Sequence, residues 1–307
     1  MIRHNIRLIG SGMKGARISA LTFKELLSVL VDGSKGALRF RAEGRSTARG
    51  ADPSWLMKAA DFELVQLSEG STILTIDSPP VVEAAPEKFA QKDIFWRNLE
   101  GTESAFEMFE EVLSDATVGK ADSDLFDESL LAVCIRLSAV FARGVENIEI
   151  TNGSPLSPRL IVTPEQIEQV ATLRKQTPMP QVAKVSGIMN MIRASDKVFE
   201  LCLESGESIR GIAQEHDTDR LGQLFGKRVL VGGRVVFRPS GGILRIEATK
   251  IEAVDSTPAL WAKAPKPIGR IDLRTLHKPQ NLNSGMSKVF GAWPGTESDE
   301  EIERLMG

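Results

Sequence analysis

The sequence predicts an α+β protein: a mixed head, a small β-barrel, a linker and a short tail. Three observations lead there. Residues 181 to 254 hold five segments rich in β-branched residues with a single helix signal among them. Residues 1 to 178 mix striped helices with short strands. Residues 256 to 287 have linker composition, with Pro258, Pro265, Pro267 and Pro279, and pattern returns only in 288 to 307. The predicted division is therefore a head at 1–178, a barrel at 179–255, a linker at 256–287 and a tail at 288–307.

In the barrel region the predicted strands are Val182–Ile192, Val198–Glu204, Ser208–Ala213, Arg228–Phe237 and Ile243–Ile251. Between the third and fourth, Asp217 to Phe225 starts with capping acids, pairs Leu221 with Leu224 and Phe225, and stops at Gly226. The order β-β-β-α-β-β over strands of this length resembles the OB-fold, a five-stranded Greek-key barrel. Alternation assigns Val229, Val231, Val235 and Phe237 to the interior and Arg228, Arg234 and Arg238 to the outside. On the last strand Leu244, Ile246 and Ala248 face in and Arg245 and Glu247 face out. Ser205-Gly206 and Pro239-Ser240-Gly241-Gly242 supply hairpin turns.

In the head, Phe23, Leu26, Leu27, Leu30 and Val31 share one helical face. Asp32-Gly33-Ser34-Lys35-Gly36 reads as an interruption, after which Ala37 to Ala42 fits a helix or a short strand. Trp55 to Asp61 is a brief helix, and Phe62–Leu67 with Ser71–Ser78 forms a hairpin across Ser68-Glu69-Gly70 that Pro79-Pro80 ends. Ser104–Ala116 and Phe126–Arg143 each carry one apolar stripe and read as helices packed on a sheet. Asn147–Thr151 and Arg159–Thr163 are short strands, and Thr163-Pro164-Glu165-Gln166 opens a capped helix.

Composition narrows the function classes. The 307 residues are 42% hydrophobic and 26% charged, as in an ordinary globular protein. No apolar run reaches the roughly 20 residues that cross a bilayer, and Met1-Ile2-Arg3-His4-Asn5 lacks a signal-peptide core, so the expected location is the cytoplasm. Cys134 and Cys202 lie far apart in apolar stretches and predict neither a disulfide framework nor a zinc cluster. His4, His216 and His277 are scattered singly and read as surface or loop residues. Gly10-Ser11-Gly12-Met13-Lys14-Gly15 has the spacing G-x-G-x-x-G, but Ala16 to Ser19 reads extended and no second parallel unit follows, so it reads as an open glycine loop. The acids Glu107, Glu110, Glu111, Asp122, Asp124 and Asp127 read as polar faces and caps of helices. Neither a nucleophile elbow nor metal-ligand spacing stands out, so the expectation is a binding protein, not an enzyme, with no cofactor and no metal site.

Charge is uneven along the chain. The head carries 20 Lys+Arg against 25 Asp+Glu, and residues 181–254 carry 11 against 9. The last 27 residues hold 2 against 5. A strongly basic domain of the kind that binds nucleic acid tightly is absent.

The tail regains structure signals in Phe290-Gly291-Ala292-Trp293-Pro294-Gly295-Thr296-Glu297-Ser298-Asp299-Glu300-Glu301-Ile302. Ser298 and Glu301 have capping-box spacing, and Ile302, Leu305 and Met306 give a short apolar face. Two helical turns do not hold alone in water, so the segment must dock, either on its own chain or on a partner. The tail resembles the C-terminal neutralising tails of bacterial antitoxins paired with PIN-domain ribonuclease toxins, which carry G-x-W, an acidic turn and a short helix. The head, at Pro53-Ser54-Trp55-Leu56 and Gly70-Ser71-Thr72, is similar to bacterial proteins associated with such partners. The resemblance implies a PIN-domain toxin as partner, with Phe290, Trp293, Ile302 and Leu305 as apolar anchors. It also implies that Arg304, with Lys288 second, presents a cation to the toxin's magnesium-binding carboxylates. Glu297, Asp299 and Glu300 must then point away.

The barrel carries a second expectation from another class. OB barrels bind single-stranded RNA or DNA across strands two and three with basic residues and stacking rings. Here Arg193, Lys197, Arg210, Arg234 and Arg245 are the candidate phosphate contacts, while Phe199 and Phe237 alternate inward. The barrel fits equally a packing or dimerisation module, which would make the chain an oligomer.

Overall fold

The computed structural model of the protein describes residues 1–11, 15, 17–68, 72–86, 102–152, 159–193, 197–213, 216–256, 261–268, 298, 300, 301 and 304. Met1–Ile268 forms one compact unit and Gly269–Gly307 a second. The architecture of the first is α+β, a helix-covered antiparallel sheet followed by a closed barrel.

The head begins with β1 (Ile2–Ile9), then α1 (Ala20–Glu43), α2 (Ser54–Ala59), β2 (Glu63–Ser68), β3 (Thr72–Ser78) and α3 (Val81–Ala84). It continues with α4 (Ala105–Thr117), α5 (Glu128–Ile135), α6 (Ser138–Phe141), β4 (Asn147–Asn152), β5 (Leu160–Val162) and α7 (Pro164–Gln176). The sheet order is β2-β3-β1-β4-β5, every neighbour antiparallel. An all-antiparallel sheet gives the N-terminal glycine stretch no βαβ crossover to belong to. Alternation on β1 buries His4, Ile6 and Leu8 under the helices and leaves Arg3, Asn5 and Arg7 on the other face. Phe106, Phe109, Val112, Leu130, Leu131, Ile167 and Val170 complete that core.

Three expectations about the head change. The stretch Asp32–Gly36 does not interrupt the first helix: α1 runs unbroken from its Ser19 cap to a left-handed Gly44. Its glycines serve approach instead. A Cβ on Gly33 would overlap the ring of Phe109, and one on Gly36 would come within 2.8 Å of Leu130 Cδ1. Residues 126–143 are two helices, α5 and α6, parted at Arg136–Leu137. His4, expected at the surface, is fully buried beneath the Phe106 ring, 4.6 Å between centroids. The capped start at Thr163 holds, with Gln166 closing the box that opens α7, and a second box, Ser104 with Glu107, opens α4.

The barrel consists of β6 (Gln181–Arg193), β7 (Val198–Cys202), β8 (Ser208–Ile212), α8 (Thr218–Gly222), β9 (Arg228–Phe237) and β10 (Ile243–Ala253). Its strands close in the order β10-β8-β7-β6-β9. Among the described residues only β8 and β10 pair in parallel, Gly211 opposite Ile246. A closed, mixed five-stranded barrel with its helix between the third and fourth strands is consistent with an OB-like barrel. Val229, Val231, Val235 and Phe237 fill the interior as alternation requires, and Gly211 leaves room for the Phe199 ring. One residue departs. A register shift between Ile243 and Arg245 turns Ile243 into the barrel and Leu244 out of it, onto Phe40 of α1. Residues 261–268, expected as linker, stay with this unit: Gln181 Nε2 donates to the Lys266 carbonyl and Trp261 lies under the Lys184 ammonium.

Candidate functional site

The outer side of the barrel meets the head at a compact set of contacts, and most of the candidate phosphate-binding residues lie in it. Arg245 Nη1 donates to Asp127 Oδ2 over 3.1 Å, with side-chain exposures of only 9% and 4%. Its Nε donates to Glu247 Oε1 at 3.0 Å, so the buried guanidinium has two carboxylates. Asp127 is also the N-cap of α5, accepting from the Leu130 amide, and it takes the amide and hydroxyl of Ser46. One carboxylate thus ties α5, the loop after α1 and the last barrel strand together. Arg193 Nη2 donates to the Ala42 carbonyl near the end of α1, 2.7 Å away. Arg210 lines a narrow crevice with Phe40, Gly44, Val198, Ile212 and Leu244.

Two candidates remain. Lys197 takes a left-handed φ of 55° at the start of β7, half-buried. Arg234 is well exposed and lies 3.9 Å from Glu247. The five residues therefore do not form one open basic strip. The residues that the sequence left as helix caps carry the docking instead: Asp124 pairs with Arg238 on the β9–β10 hairpin, and the Ser240 amide donates to the Ala121 carbonyl. Phe40, Val236 and Leu244 make a small apolar contact separate from both cores. The acidic head and slightly basic barrel were the one sequence signal for this pairing.

In the tail, Phe290, Trp293, Ile302 and Leu305, with Lys288, lie outside the described residues. Arg304 is described, helical and exposed, as are Glu300 and Glu301. The Ser298 amide and hydroxyl both donate to Glu301 Oε2, at 2.9 and 3.1 Å. These bonds hold the Glu301 carboxyl below its ordinary pKa, the backbone amide contributing most.

A polar cluster in the head has the order of a nucleophile, a base and an acid. Ser104 Oγ is 3.5 Å from His4 Nε2, and His4 Nδ1 is 3.5 Å from Glu110 Oε1. Both Ser104 and His4 are inaccessible to solvent, and Ser104 Oγ is engaged as the cap of α4. Asn152 lies 2.8 Å from His4 Nδ1, and its amide nitrogen, turned toward the ring, also donates to Glu110. Burial raises the Glu110 carboxyl above its ordinary pKa, partly offset by the His4 hydrogen bond. The cluster is a satisfied buried network that pins β1 and β4 to α4.

A groove of about 270 Å³ between α1 and α5 is crossed by ion pairs of Asp52 with Lys35 and Arg39. Among the described residues, no group of three or more His, Cys, Asp or Glu is placed to hold a metal ion, and no helix is long and apolar enough to cross a membrane. Comparison with protein-family models, curated proteins and solved structures finds no match for the chain.

Proposed function

We propose that the chain is an antitoxin-like binding protein of the cytoplasm, without a catalytic step of its own, that neutralises a PIN-domain ribonuclease through its C-terminal tail. The observation that carries this reading is the tail segment from Phe290 to Met306, with its Ser298–Glu301 cap formed and Arg304 exposed on the helix that follows. The cap has a second effect. By turning its carboxylate back on Ser298, Glu301 engages one of the tail's acids within the cap. Arg304 then supplies the cation, and Phe290, Trp293, Ile302 and Leu305 are the anchors for an apolar groove.

The test is co-purification from the native host, comparing the full chain with one ending after Asn283. A small PIN-domain nuclease retained by the full chain alone, and lost with Trp293→Ala, supports the reading. Equal capture by both forms sinks it.

A second reading is favoured by one observation, the strand order of the barrel with its parallel β8–β10 closure. In an OB-fold of this order the outer side of β7 and β8 takes single-stranded RNA or DNA.

A further inference from the structure

The head meets the barrel at the edge of that side, on β10, the β9–β10 hairpin and the end of β6, and Phe40 and Gly44 also line a crevice with Val198, Arg210 and Ile212 of β7 and β8; there it places groups that imitate a nucleotide strand. Phe40 packs with Val236 and Leu244, a patch where the barrel itself offers only aliphatic surface. Beside the ring come oxygen acceptors, two of them carboxylates. Asp127 holds Arg245, Asp124 holds Arg238, and the Ala42 carbonyl holds Arg193. A ring on an apolar patch, flanked by oxygens on arginines, is what a stacked base and its phosphates present to such a surface. Charge agrees with the imitation: the head carries 20 Lys+Arg against 25 Asp+Glu and residues 181–254 carry 11 against 9.

The contact is also of a kind that can part. Its apolar portion is three buried residues, distinct from the two large cores. Asp124 is half exposed, so water can replace its bond to Arg238. Partly polar contacts with little apolar area part more readily than large hydrophobic ones.

We propose that the connection from Lys120 to Asp127, together with Phe40, is a built-in competitor for single-stranded nucleic acid at this barrel face: the face is closed while the head is docked and opens when the two part. The proposal rests on the second reading above. Nucleic acid must displace the acids from Arg245 and Arg238, so the docked chain binds weakly, and weakening the head's grip strengthens binding to the barrel.

The experiment is fluorescence anisotropy of a labelled oligothymidylate and an oligouridylate of roughly 15 nucleotides at about 50 mM salt. It compares the full chain with Asp124→Asn/Asp127→Asn, in which Asn preserves the cap of α5. The double variant is expected to bind at least about tenfold tighter, and adding Arg245→Gln removes the gain. Equal, measurable affinity in the two chains overturns the competitor while leaving the barrel reading standing. A gain that survives Arg245→Gln overturns it too, because general loss of negative charge then explains the result. No binding by either chain overturns both the competitor and the barrel reading. Amide exchange on the unaltered chain gives an independent readout: saturating oligonucleotide is expected to speed exchange in residues 40–46 and 120–127. Binding with exchange there unchanged overturns the proposal.

Discussion

Gly33, in the middle of α1, lies against the ring of Phe109 on α4, with no space for a Cβ between them. In an exposed helix, replacing Gly by Ala gains about 1 kcal/mol. Here the added methyl must push α1 from α4 or force Phe109 off its rotamer, which costs about 1–3 kcal/mol. Gly33→Ala is expected to lower the urea midpoint, and Phe109→Leu in the Gly33→Ala chain to restore part of the loss. An unchanged or raised midpoint for Gly33→Ala would show that the two helices have slack.

Asp127 separates two roles by substitution. Asp127→Ala removes the α5 cap, worth about 1 kcal/mol, and leaves Arg245 with Glu247 as its remaining carboxylate, so the total expected loss is roughly 3–5 kcal/mol. Asp127→Asn keeps the cap and an acceptor for Arg245, and is expected to lose clearly less. Denaturant unfolding of the two variants side by side decides it. Equal losses would mean that the charge, not the cap, carries the whole effect.

Glu110 gives a pH dependence with a definite sign. Its carboxyl is raised in the folded protein by burial, so the folded state holds that proton to higher pH than the unfolded chain does. The corresponding contribution to stability is present below the ordinary Glu pKa and is lost as pH rises through the folded value. Glu110→Gln keeps an acceptor for Asn152 without the charge. It is therefore expected to raise the melting temperature relative to the parent at pH 7, the advantage shrinking below about pH 4. A constant difference from pH 4 to 7 would contradict this.

Cys134 is fully buried, and burial pushes its thiol up to about 12. At pH 8 it is expected to stay unmodified by a thiol reagent in the native protein and to react once urea unfolds the chain. Cys202, half-buried on β7, is the faster of the two. Mass spectrometry of the labelled peptides reads both, and rapid native labelling of Cys134 would argue for frequent opening of the head core.

What the sequence made legible follows from the range of the physics involved. The barrel strands, their turns and the capped helix start at Thr163 depend on neighbours within a few residues, and they are readable. Gly33 and Gly36 misled because a glycine that admits a neighbouring ring looks the same in sequence as one that ends a helix. Leu244 was placed on the wrong side because a bulge shifts alternation by one residue and leaves no mark of its own. His4 reads as a lone polar residue until β1 is set beside β4 and α4, which bring Asn152 and Glu110 to it. Arg245 does face out of the barrel, but what lies outside is Asp127, 118 residues earlier in the chain.

The parallel pairing of β8 with β10 also bears on how the protein is made. During synthesis β6 to β9 emerge first, and until β10 arrives both β8 and β9 expose unpaired edges that attract other strands. The last strand is the one that seals both. A ribosome that stalls before Ile243 therefore releases a chain prone to join its neighbours edge to edge, and a chaperone that shields nascent strands has most to do in the interval between Phe237 and Ala253.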